Sequence, residues 1–231
     1  MRRTLHAALL VFAAAAACRE NTANAREVSK YPNDSSAGAT RSDTGPMSAT
    51  GGTMTAAATL RENMRKLWTD HVVWTRQYIV AAVDGDASAP AALKRLMKNQ
   101  EDLGDAIKPY YGSGAGDSLT KLLKEHISIA GDLVTAAKAG NNAKVSDADK
   151  RWHTNASNIA AFLAAANPNW TKGDLESMLN EHLSLTTDEA KNRIGKKWDD
   201  DAPTFDKIYD QALKMADALA DGIIKQHPTK A

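Results

Sequence analysis

The sequence predicts an all-α fold, a six-helix bundle or a short helical array built from three αα-hairpin repeats. Three observations predict it. Apolar residues recur at three- and four-residue spacing beyond residue 58, no stretch alternates as a strand does, and the pattern repeats itself after about 55 residues.

The helical elements follow in order from stripe and punctuation. Leu60, Met64, Leu67, His71, Trp74 and Tyr78 form the core-facing stripe of a first helix over 58–84. Ser88 and Pro90 read as an N-cap and first-turn pair opening a helix over 89–110. The glycine-rich stretch Gly112 to Asp117 reads as a turn ending in a cap, followed by the stripe Leu119, Leu122, His126, Ile129, Leu133 and Ala136 over 117–139. Gly140-Asn141-Asn142 reads as a helix stop. Ser146 with Asp149, and Thr171 with Asp174, have the spacing of capping boxes, opening helices over 147–166 and 172–197. The fifth helix carries Leu175, Met178, His182 and Leu185, and an acidic run before Pro203 starts a sixth over 202–226. Short connections make neighbouring helices antiparallel.

The repeat is explicit at three acid–histidine pairs: Asp70-His71, Glu125-His126 and Glu181-His182, separated by 55 and then 56 residues. Leu96, Asn99 and Leu103 in the second helix match Trp152, Asn155 and Ile159 in the fourth, then Ile208, Gln211 and Met215 in the sixth. The repeats run over about 60–115, 116–171 and 172–228. Three such hairpins form a short solenoid, which needs capping faces, or close on themselves.

Before the helical domain, assigned to 58–231, the chain reads as an export signal over 1–18 and a tether over 19–57. Arg2 and Arg3 precede an apolar stretch from Leu5 to Ala17, shorter than the roughly 20 residues that span a membrane. Cys18, the only cysteine, follows Ala15-Ala16-Ala17 and resembles the lipidated cysteine of a bacterial lipobox, although that motif prefers Leu at the position of Ala15. The alternative is cleavage after Ala17, leaving a soluble exported protein. The segment 19–57, rich in Ala, Ser, Thr, Gly, Asn and Asp, is expected to be disordered. A coil of that length spans about 35 Å. The expected location is the cell envelope, lipid-anchored on the periplasmic or outer-surface side, with the membrane as partner through Cys18. Lys and Arg number 29 against 28 Asp and Glu, which argues against a nucleic-acid surface.

The candidate site lies in the polar residues of the stripes. His71, His126 and His182 each sit within an apolar stripe, and Asn99, Asn155 and Gln211 fall on the core side of their helices. Buried polar groups without partners cost roughly 1–3 kcal/mol each, so a histidine–amide hydrogen bond within each hairpin is the leading expectation. The competing expectation is a transition-metal site of His71, His126 and His182, with Asp102 or Asn158 nearby, which requires the imidazoles to converge. No cofactor is predicted by the leading reading. A small-molecule pocket lined by Trp68, Trp74, Tyr78, Tyr110, Tyr111, Trp152 and Trp170 is the third. Gly112 to Gly116 lacks the preceding strand and the Gly-Lys-Ser/Thr of a phosphate loop, Ser113 sits on no nucleophile elbow, and Arg76 is an isolated helical cation.

The strings Leu67-Trp68-x-x-His71-Val72-x-Trp74-Thr75-Arg76 and Asn99-Gln100-x-Asp102-x-Gly104-x-Ala106-Ile107-x-Pro109-Tyr110-Tyr111-Gly112, with Ala165-Ala166-Asn167-Pro168-x-Trp170, resemble an uncharacterised family of exported bacterial all-helical proteins. The resemblance implies an exported helical domain and no established activity. The function expected from the whole chain is a non-enzymatic helical domain that binds an unknown protein or small ligand at the cell envelope. The alternative is a metal-binding bundle, enzymatic in one version.

Overall fold

The computed structural model describes residues 55–230. The signal segment, Cys18 and the tether as far as residue 54 lie outside the described residues. Six helices follow: α1 (Ala56–Asp84), α2 (Ala89–Tyr111), α3 (Ser113–Lys138), α4 (Asn142–Ala166), α5 (Lys172–Ile194) and α6 (Trp198–Gln226), with no strand among the described residues. None of these helices is long and apolar enough to cross a membrane.

Local chemistry sets the boundaries. Thr55 Oγ1 accepts from the Ala58 amide at 3.2 Å to open α1, and Gly85, at φ 75°, closes it in the left-handed conformation that glycine tolerates. Thr171 caps α5, accepting from Asp174 N at 3.1 Å as expected, while Asp174 Oδ2 accepts at 2.7 Å from the Thr171 hydroxyl and not from the backbone N–H that a capping box uses. Several boundaries differ from the sequence expectation, with α5 ending at Ile194 and not at 197 and α6 starting at Trp198 and not at 202. The helix α3 begins at Ser113, directly after Gly112 (φ 84°), so most of the glycine-rich stretch is its first turn and not a loop. The helix α4 begins at Asn142 because Asn141 takes the cap, accepting from Lys144 N at 3.1 Å, which leaves Ser146 and Asp149 inside the helix. The sixth helix starts at Trp198, with Asp199, Asp200 and Asp201 in its positively polarised first turn and Pro203 just beyond.

The three hairpins close. Each helix packs on the next, α6 returns to pack on α1, and α1, α3 and α5 also pack on one another. This is a closed bundle, with the first helix of each hairpin at the centre and the second helices filling the gaps outside. Bundle closure is what a solenoid would lack, and it brings equivalent positions of the repeat to one axis.

The core is therefore layered. Met64, Leu119 and Leu175 are buried at equivalent positions, followed by Trp68, Leu123 and Leu179, then by His71, His126 and His182. Beyond the histidines come Thr75 and Thr186, and then Ile79, Val134 and Ala190, a small apolar cluster separate from the main one. A polar layer thus divides the apolar core in two. The second helices keep the register: Leu96, Asn99, Leu103, Trp152, Asn155, Ile159, Ile208, Gln211 and Met215 are all buried. Between α2 and α3 the backbones meet at two glycines. A Cβ on Gly104 would stand 2.6 Å from Gly116 O, and one on Gly116 would stand 2.6 Å from Gly104 O.

Candidate functional site

The polar layer is the candidate site. His71, His126 and His182 retain only 4%, 5% and 4% of their exposure and line one cavity of about 20 Å³. The cavity wall is completed by Thr75, Thr186, Tyr78, Trp152 and aliphatic side chains. The His71 and His182 ring centroids are 5.6 Å apart, and the His126 ring lies 5.2 Å from that of Trp152.

Each hairpin fixes its histidine from behind with an amide. Asn99 Nδ2 donates to Leu67 O at 3.0 Å, Asn155 Nδ2 to Leu122 O at 3.1 Å, and Gln211 Nε2 to Met178 O at 2.9 Å. In every case the acceptor is the carbonyl four residues before the histidine. With its NH₂ so engaged, Asn155 presents Oδ1 to His126 Nδ1 at 2.8 Å, and that nitrogen must therefore carry the proton. The Nε2 lone pair of His126 is left free. The first hairpin adds Gln100, whose Nε2 lies 3.3 Å from His71 Nδ1 but donates to Leu96 O and Asn99 Oδ1. Asn99 and Gln100 both flank the His71 ring. In the third hairpin Gln211 lies beside His182, yet His182 Nδ1 and Gln211 Oε1 complete no hydrogen bond. The hydroxyls of Thr75 and Thr186 turn back to the carbonyls of His71 and His182, at 2.7 and 2.8 Å.

The surroundings hold the three rings neutral. Burial pushes His126 down to about 3 and His182 down to about 4, with the neighbouring amides opposing in each case. His71 is held well below the ordinary imidazole value, first by burial and then by the other two histidines. The hydrogen-bond account is incomplete around this layer. Trp68 Nε1, Trp152 Nε1, Gln100 Oε1, Gln211 Oε1 and His182 Nδ1 are all buried without a partner. Native interiors satisfy the great majority of such atoms.

Next to the polar layer, away from the main core, lies a charged network. Arg76 reaches Glu189 Oε1 at 2.5 Å and Asp201 Oδ2 at 2.6 Å, its guanidinium 4.7 Å from the Phe205 ring centroid. Arg193 joins Asp201 at 3.5 Å and Asp84 at 3.0 Å. Burial pushes Glu189 up to about 7 against the pull of Arg76. On the opposite side of the histidines is a cavity of about 40 Å³ lined wholly by apolar side chains and indoles, including Met64, Trp68, Leu123, Trp170 and Leu179.

The structure sorts the sequence candidates. His71, His126 and His182 come together, and Asn99, Asn155 and Gln211 lie in their immediate surroundings. Asp102 does not join them: it is a partly exposed partner of Lys98, at 2.9 Å, and Asn158 is exposed. The reason is angular, because three residues past the core amide the helix has turned toward solvent. Among the described residues no group of three or more His, Cys, Asp or Glu stands arranged to hold a metal ion. Trp68 and Trp152 border the histidines, while Trp74 is only half-buried under Arg95, 5.6 Å from its ring centroid. Tyr111 lies far along the bundle, donating to Gln226 Oε1 at 2.9 Å and accepting from Asn167 Nδ2 at 2.9 Å. Arg76 is ion-paired and no free anion site.

Sequence reasoning missed Gln100, the threonines and the acidic partners of Arg76. A signal existed for two of these. Thr75 and Thr186 recur four residues after a histidine, and Glu189 is an acid at a core position of α5. Neither a protein-family model, nor a curated protein, nor a solved structure matches this chain.

Proposed function

We propose that the helical domain is a non-enzymatic binding module of the cell envelope, and that its polar layer takes up a small ligand. One observation carries the reading: three neutral imidazoles line a common cavity, and two of its lining residues, Trp152 and His182, carry buried nitrogens without a partner. A layer that served register alone would be satisfied by the amides, as His126 is by Asn155. The cost of each orphaned atom, roughly 1–3 kcal/mol, is offset when an occupant supplies the missing partners. Burial of all three histidines speaks against a solvent-facing acid–base or nucleophilic site.

The envelope part of the proposal rests on Arg2, Arg3, the apolar run Leu5 to Ala17, and Cys18. Replacing Cys18 with Ser should move the full chain from the membrane fraction to the soluble exported fraction.

The binding part is tested by native mass spectrometry of the full chain recovered from its own envelope. The expected result is a retained non-covalent mass that the His126→Leu chain lacks. Recovery of both chains without any added mass refutes the binding reading.

A further inference from the structure

The threefold repeat has one layer beyond those that fill the core. Val83, Lys138 and Ile194 stand 55 and then 56 residues apart, the spacing of the histidines, and all three line one open cleft of about 360 Å³. They sit in the last turns of α1, α3 and α5, past the cluster of Ile79, Val134 and Ala190. The cleft therefore lies at the end of the bundle that carries the three hairpin turns. Asp84, Arg193, Lys196 and Trp198 complete its wall. Its size falls within the roughly 300–1,000 Å³ of small-molecule sites, whereas the two core cavities hold only about 40 and 20 Å³.

We infer that this cleft binds a small organic carboxylate, its charge met by Lys138 and Lys196 and its apolar body by Trp198, Val83 and Ile194. The site is separate from the polar layer, with the Ile79 layer between them. Three observations support it.

Charge is the first. The wall carries three cations and one carboxylate. Arg193 is engaged inside the fold, with Asp84 at 3.0 Å and Asp201 at 3.5 Å. Lys138 donates to Ala82 O at 2.8 Å, which leaves two of its three donors, and Lys196 is exposed and pairs with no acid among the described residues. Asp199 and Asp200 open α6 nearby but do not line the cleft.

The indole is the second. Trp198 is 50% exposed, and Val73 is the one other large apolar side chain that is exposed among the described residues. The Arg193 guanidinium lies 4.6 Å from the Trp198 ring centroid and holds the indole at the rim. A fixed aromatic surface beside two ammonium groups suits an anion with an apolar body better than an inorganic ion.

The turn is the third. Each hairpin places one left-handed residue at the same position of the repeat: Gly85 (φ 75°), Gly140 (φ 67°) and Lys196 (φ 54°). Glycine adopts this conformation without a Cβ clash, and lysine does not. The third hairpin thus keeps a strained residue where the other two relax, and its side chain is one that lines the cleft. Trp198 and Arg193 also belong to this hairpin alone, since the matching positions are Asn142 and Ala87, and Ala137 and Ala82.

The test titrates the full chain with benzoate, with benzyl alcohol as the neutral comparator and inorganic phosphate as the ion without a body, reading backbone ¹H–¹⁵N shifts. Benzoate should shift the amides of residues 83–85, 138–140 and 194–198 saturably, and more weakly as salt is added. Lys196→Gln should bind about 2–5-fold more weakly, the range for losing one exposed ion pair. Trp198→Ala should bind roughly 2–10-fold more weakly. Lys196→Gly separates site from scaffold: it should lose binding as the Gln variant does, yet melt at a higher temperature than the parent, because glycine relaxes the turn. Absence of a saturable shift at the cleft with benzoate overturns the inference. So does benzyl alcohol or phosphate binding there as well as benzoate, or a Lys196→Gly chain that binds benzoate like the parent.

Discussion

Acid should destabilise the bundle through its centre, and the size of the effect follows from the three neutral rings. An imidazole in the unfolded chain titrates near 6.5, whereas His126 and His182 are pushed down to about 3 and about 4 by burial. A base with a lowered folded pKa leaves stability intact above the unfolded value and removes it as pH falls toward the folded value. At pH 5 the unfolded ring gains roughly 2 kcal/mol from its proton and the folded ring almost nothing. His126 and His182 together therefore remove about 4 kcal/mol, against a typical domain stability of roughly 5–15 kcal/mol. His71 acts in the same direction. Glu189 acts oppositely. Its carboxyl, pushed up to about 7 by burial, takes up a proton more readily in the folded chain, which restores about 2 kcal/mol between pH 7 and 5. The comparison that isolates one ring is the parent against His182→Gln, each unfolded in urea at pH 7 and pH 5 after chelation. The parent should lose about 2 kcal/mol more than the variant over that interval. Equal losses would refute the claim that His182 is held neutral by burial.

Three further outcomes follow from the packing. Asn155→Leu strands the His126 Nδ1 proton, and the loss should be about 1–3 kcal/mol in urea unfolding at neutral pH. Arg76→Met leaves Glu189 and Asp201 buried with only the more distant Arg193, which should cost roughly 3–5 kcal/mol; a Glu189→Gln change in the same chain should recover part of it. Gly104→Ala forces a methyl against Gly116 O and Thr120, so α2 and α3 must separate, with a loss of about 1–3 kcal/mol in a thermal or urea melt.

The helices and the repeat were legible because both depend on local spacing. Every stripe residue of the equivalent trios on α2, α4 and α6 is buried where the period places it. Cap chemistry was legible at Thr171, while Ser88 precedes α2 without a side-chain cap bond and the two candidates before α4 competed. Asn141 lies nearer the preceding stop than Ser146, and it wins α4 five residues earlier. Closure of the bundle was not legible, since the same hairpin unit serves a solenoid. It depends on α6 meeting α1, a contact between residues far apart, as in the pair Arg65–Asp217. The histidine layer was legible from polar residues recurring in apolar stripes. The Arg76 network was not, because its partners come from α5 and α6, and an acid at a core position of α5 does not by itself name the distant cation it pairs with. Gln100 was hidden for a similar reason: beside Asn99 it looks like the next residue around the helix, yet it is fully buried against His71.

The central claim is that His71, His126 and His182 form one buried, neutral centre, with Asn155 holding the His126 proton on Nδ1. The most direct measurement is a long-range ¹H–¹⁵N imidazole spectrum of the metal-free full chain, followed as pH falls from 7 to 5. The account predicts three rings that stay neutral, with the His126 proton on Nδ1. A spectrum in which any of the three titrates near the ordinary imidazole value, or in which His126 carries its proton on Nε2, would contradict it.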